Sequence, residues 1–229
     1  MGGFLMCDAK PAGSGNVLTT PSGVPYYADN KAQRAGETAA MGPGAGETTQ
    51  PPPGDQPPTD LTDCTTYTDA QWDTGCSEKF KFAHMNRKPQ GGSCSEAEVA
   101  CNWQKLCQNI LDKVKTQFPG MTISSGFRPS SYDRELGGNG NGDHTYGKAA
   151  DIQLLGAGRE EGAKQLFKFI GSSGLPYSQL IFEGGWVHVA YNGSSPASVA
   201  VLVTRTGKAP YQNGGGRGGS ALPPDLRWA

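Results

Sequence analysis

The run TTQPPPGDQPPTD, residues 48–60, sets the first limit on what this chain can fold into. Successive prolines favour an extended polyproline II backbone and remove the N–H groups that the interior of a helix or sheet needs. Residues 1–60 show no sustained helical or strand period, and a short echo, AGET at 35–38 and again at 45–48, is too brief to be a structural repeat. The expectation is a long, extended Gly/Pro-rich N-terminal arm over 1–60, with folding confined to the rest of the chain. The 34 glycines and 17 prolines among 229 residues fall mostly outside the best-patterned segment, so one core with extensions is the simpler organisation.

Within the remainder, residues 61–94 carry aromatics and cysteines but weak periodicity, and read as loops packing on a core. Residues 95–118 predict a core-facing helix. Ser95 and Glu98 form a capping-box pattern, Val99, Trp103, Leu106, Ile110, Val114 and Phe118 recur at helical spacing, and Pro119 stops the run. Five apolar runs then predict strands: MTISSGF (121–127), AADIQLL (149–155), SQLIFE (178–183), WVHVAY (186–191) and SVAVLVT (198–204). A shorter helical stretch lies at about 159–170, and EGGW between two runs predicts a tight hairpin. The fold class expected is α+β: a small antiparallel or mixed sheet with helices on one face, spanning 95–210, then a Gly/Pro-rich tail over 211–229.

The formal charge of −1, with signs interspersed, leaves no basic stripe for a phosphate backbone or an anionic bilayer. Nucleic acid is therefore not an expected partner, and no apolar run reaches the length of a membrane span. MGGFLMC lacks the basic start and long apolar run of a signal peptide, so none is expected. Cys7, Cys64, Cys76, Cys94, Cys101 and Cys107 contain no CxxC pair, which argues against a thiolate zinc site. Buried thiols or disulfides both fit, with connectivity left open.

The chemistry concentrates in three short stretches. His144 stands in the polar loop GGNGNGDHTYG, Asp151 near the start of an apolar strand, and His188 on a strand, where alternation fixes its direction. A lone strand histidine is more often structural, but burying Asp151 unpaired is costly and demands a metal, an arginine or backbone amides. Two imidazoles and one carboxylate fit a four-coordinate zinc site with one exchangeable position.

In order and spacing, SSGFRP (124–129), HTYGKAAD (144–151) and FEGGWVHVAY (182–191) resemble the three motif blocks of LAS-type zinc peptidases. That family has a hedgehog-like fold and includes D-Ala-D-Ala carboxypeptidases and phage L-Ala-D-Glu endopeptidases. The resemblance covers about residues 95–205. It implies Zn2+ as cofactor with His144, Asp151 and His188 as ligands, and Arg128 as the substrate-orienting arginine. Two positions depart from better-known members: Gly142 stands where they carry a serine, and Gly185 where they carry the catalytic glutamate. Glu183, five before His188, is the expected general base instead, with Asp143 the weaker candidate. For Arg128 the alternative to steadying a carbonyl oxygen is a salt bridge or a loop-fixing hydrogen-bond donor; for Glu183 it is an exposed hairpin position.

The resemblance implies peptidoglycan stem peptides as substrate. The arm suggests carriage on a phage tail or baseplate, with Phe4, Tyr26 and Tyr27 as anchors for virion proteins and with action at the host cell wall. Rival expectations are a structural virion protein with a retained but inactive zinc site, and a free endolysin acting at lysis.

Overall fold

The computed structural model describes residues 18–19, 25–26, 64, 67–193, 200–204, 212–215 and 219–228. Two short strands, β1 (Leu18–Thr19) and β2 (Pro25–Tyr26), pair antiparallel. Apart from these, the expected extended arm lies outside the described residues, as do Phe4 and Tyr27.

Helix α1, Glu96–Leu106, starts where its capping pattern requires. Ser95 Oγ accepts the Glu98 N–H at 3.3 Å, and the Glu98 carboxylate accepts the Ser95 N–H at 3.1 Å. A cap of this kind stabilises a helix by about 1 kcal/mol. The period predicts one helix to 118. The backbone instead widens through a π turn, Cys107–Leu111, before resuming as α2, Asp112–Gln117. Val99, Trp103, Leu106, Ile110 and Val114 are fully buried as the period demands, each contributing roughly 1.5–3 kcal/mol by leaving water.

A short helix α3, Ser130–Glu135, and a longer one, α4, Arg159–Ser172, come later in the chain. The strands are β3 (Met121–Ser125), β4 (Ala149–Leu154), β5 (Gln179–Phe182), β6 (Val187–Ala190), β7 (Ala200–Val203) and β8 (Gln212–Asn213). They form one sheet in the order β3-β4-β6-β5-β7-β8, antiparallel throughout except for the parallel pair β5–β7. The α+β class with a mixed sheet is thus as expected; β8 and α3 carry too few apolar residues to have shown a period.

Strand alternation divides the sheet. Ala150, Ile152, Leu180, Phe182, Val187, Val189, Val201 and Val203 join Trp103, Ile110, Leu166, Phe167 and Ile170 in one core, which places α1, α2 and α4 on that face. On the opposite face direct register lines up Ser125, Asp151, His188, Ile181 and Leu202 across five strands. Ser125 reaches this row through a β-bulge. Ile123 pairs with Ile152 on the core face, and the extra residue Ser124 lets Ser125, rather than its predecessor, oppose Asp151.

Segment 67–94 is loop-rich, with short 3-10 turns at Asp69–Gln71 and Phe82–Met85. Cys64 and Cys101 form a disulfide to α1; Cys94 is also disulfide-bonded, its partner lying outside the described residues. Cys76 and Cys107 are buried thiols. At the C-terminal end Leu222 and Leu226 are buried, and Trp228 packs edge-on against Phe167 at 5.3 Å. Among the described residues no helix is long and apolar enough to cross a membrane.

Candidate metal centre

Asp151 and His188 face each other directly across β4 and β6, the antiparallel position at which side chains of neighbouring strands meet. His144 arrives from a separate element, the 3-10 turn Asp143–Tyr146. That turn is secured on several sides. Arg128 N–H donates to the His144 carbonyl at 3.1 Å, Ser93 N–H to the Thr145 carbonyl at 2.9 Å, and Asn102 Nδ2 to the Tyr146 carbonyl at 2.9 Å. It ends at Gly147, whose φ of +72° and close approach to α1 exclude a side chain: a Cβ there would lie 2.4 Å from the Val99 carbonyl oxygen.

The three side chains converge. His144 Nε2 lies 3.2 Å from Asp151 Oδ1 and 3.2 Å from His188 Nδ1, and His188 Nδ1 lies 3.1 Å from Asp151 Oδ1. His144 is 0 % exposed, His188 1 % and Asp151 5 %. The protonation pattern follows from the partners. His144 Nδ1 stands 2.5 Å from the Gly126 carbonyl oxygen, which can only accept, so Nδ1 carries a hydrogen and Nε2 is the atom turned toward Asp151 and His188. Acceptors brought this close repel unless a proton or a metal cation stands among them. The donor set, two imidazole nitrogens and one carboxylate oxygen all within 4.8 Å of one another, fits a zinc ion.

Arg128, 3 % exposed, sits behind the carboxylate rather than in open space. Its Nη2 donates to Asp151 Oδ2 at 2.7 Å and its Nε to Ser125 Oγ at 3.1 Å. The salt bridge foreseen as the alternative for this arginine is therefore present, and Oδ1 is left facing the histidines. Burial pushes the Asp151 carboxyl up; His144, His188 and Arg128 together outweigh it and hold the group well below the ordinary carboxyl range.

Glu183 closes β5 at the tight hairpin anticipated from EGGW: its N–H donates to the Trp186 carbonyl at 3.0 Å, and Gly184 takes a φ of +74°. Alternation from Ile181, which opposes His188, puts Glu183 on the same face as the histidine. At 5 % exposure it is buried, not an exposed hairpin position. Asp143 is partly buried at the start of the 3-10 turn, where its carbonyl accepts the Lys148 N–H at 3.0 Å.

Three supporting groups escaped sequence reasoning. Ser125 holds Arg128, Ser124 Oγ donates to the Asp151 carbonyl at 3.1 Å, and the Gly126 carbonyl holds His144. All belong to SSGFRP, but only the bulge reveals why Ser125 comes to oppose Asp151. Gly126 is glycine because Met85 crosses it: a Cβ would sit 2.6 Å from the Met85 carbonyl oxygen, which accepts the Phe127 N–H at 2.9 Å.

Residues 78–190 match the model of a family described as Peptidase M15. The matched stretch ends with β6 and contains Arg128, His144, Asp151, Glu183 and His188. M15 peptidases are zinc-dependent, and the match and the buried histidine–aspartate–histidine group together support a metallopeptidase. No curated protein matches the chain.

Proposed function

We propose, with the M15 match over 78–190 as premise, that this chain hydrolyses an amide bond in peptidoglycan stem peptides with zinc held by His144, Asp151 and His188. The observation that carries the reading is the convergence of those three side chains, from two strands and a glycine-terminated turn, into one buried cluster. When bound, zinc supplies Lewis acidity, polarising the scissile carbonyl and lowering the pKa of water toward ~7.

Glu183 takes the proton from the attacking water and passes it to the departing amine, a one-base cycle without a covalent intermediate. Its burial on the His188 face supports the role. Arg128 keeps Asp151 turned so that Oδ1 is presented to the metal, and its permanent charge beside the site favours negative charge on the carbonyl oxygen. Carriage on a phage tail or baseplate, with residues 1–60 binding virion proteins, is the setting proposed; the arm's composition supports it.

The deciding experiment is digestion of purified peptidoglycan by the zinc-loaded recombinant protein, with the new termini identified by mass spectrometry. The expected result is one class of stem-peptide bond cut, and no cut after chelation. Intact peptidoglycan after treatment with fully metallated protein would overturn the reading in favour of a structural metal site.

A further inference from the structure

We propose that Cys76 and Cys107 are a disulfide site, closing a covalent strap between the loop segment 75–81 and the α1–α2 helix. The π turn creates the geometry. Its widened backbone lets the Asp112 N–H donate to the Cys107 carbonyl, five residues back, so Asp112 and Cys107 stack near one line of the helix surface. A regular α-helix would set residues five apart well around the cylinder.

Asp112 then fixes the loop. Its carboxylate accepts Ser77 Oγ at 2.8 Å, the Glu78 N–H at 3.1 Å and the Lys79 N–H at 3.1 Å. Cys76, immediately before Ser77, is thereby set down toward Cys107, and both side chains lie in the same buried core cluster. The two cysteines are 3 % and 0 % exposed. The peptidase mechanism uses neither. The Cys64–Cys101 bond and the bonded Cys94 indicate that the chain matures where thiols are oxidised, so this pair meets the same conditions.

The chemistry is thiol–disulfide exchange with a low-molecular-weight disulfide such as oxidised glutathione. One cysteine thiolate attacks a reagent sulfur, forming a mixed disulfide and releasing one reduced thiol. The second thiolate then displaces the remaining reagent sulfur. Two protein thiols become one S–S bond, two electrons pass to the reagent, and the two protons end on its released thiols. Burial pushes the Cys107 thiol well up, so exchange takes place before the turn closes over the pair. The strap leads through the 3-10 turn Phe82–Met85 to the Met85 carbonyl, which holds Phe127 beside the carbonyl that orients His144. It therefore stiffens the backing of the metal centre without touching a ligand.

The test uses the full chain folded in a glutathione redox buffer, then denatured with N-ethylmaleimide in the absence of reductant and digested. The expected result is no maleimide on Cys76 or Cys107, with the Cys107 peptide recovered joined to the Cys76 peptide. In Cys107→Ala the Cys76 thiol alone becomes newly labelled. Maleimide on both residues in protein whose Cys64–Cys101 bond is intact would overturn the proposal, as would either residue paired with a different cysteine. Should Cys107→Ala fail to fold, the wild-type digest decides alone.

Discussion

Asp151 divides its two oxygens between different tasks, Oδ1 toward His144 and His188 and Oδ2 toward Arg128. Because the folded group is held below its ordinary 3.8, the stability it contributes is fully present above that value and is lost as pH falls below it through the depressed folded pKa. In chelator-treated protein, thermal unfolding of wild type and Asp151→Asn should differ at neutral pH, the gap narrowing in strong acid as the Asp151 carboxylate is protonated. The size at neutral pH should be roughly 3–5 kcal/mol, since the substitution leaves Arg128 buried without its counter-charge. A gap that instead closes near neutrality would reject this assignment of charge. At the ligands, His188→Ala should abolish stoichiometric zinc in elemental analysis, and a fully metallated variant would remove His188 from the set. Glu183→Gln preserves size but not basicity, so zinc should stay while turnover drops roughly 10²-fold or more; near-normal turnover would pass the role to Asp143.

Elements matter here by how they terminate and bend. The turn bearing His144 has to stop within one residue of its last helical position, and Gly147 achieves this at positive φ against the Val99 carbonyl of α1. A methyl group at that position meets both backbone strain and a contact no side-chain rotation relieves. Gly147→Ala should therefore cost about 1–3 kcal/mol and weaken zinc binding through displacement of His144. Chemical denaturation and chelator competition measure the two effects, and wild-type values in both would show that the turn has slack. The bulge in β3 acts similarly, turning Ser125 toward Asp151 and so presenting Arg128 from behind the carboxylate.

For the molecule as a whole, the described core is assembled from α1, α2 and α4 and the inner face of the sheet. If the arm serves only attachment, deleting residues 1–60 should leave cleavage of soluble muropeptides unchanged while eliminating incorporation into particles. The truncation carries Cys94→Ala as well, because the disulfide partner of Cys94 lies outside the described residues. Normal assembly of the truncated protein would discard the attachment role.

The local signals in the chain were enough for the helix start at Ser95, the five main strands, the EGGW hairpin and the set His144, Asp151 and His188, because capping, alternation and motif spacing act over a few residues. The π turn at Cys107–Leu111, the bulge at Ser124 and the placement of Arg128 on Asp151 were decided only by the tertiary structure. Each depends on a partner far away in the chain: Asp112 gripping the 77–79 loop, Asp151 opposing Ser125, Met85 crossing Gly126. A periodic pattern records which face of an element is buried, but not which distant backbone will press against it, and it is that pressure which aims the side chains of this centre.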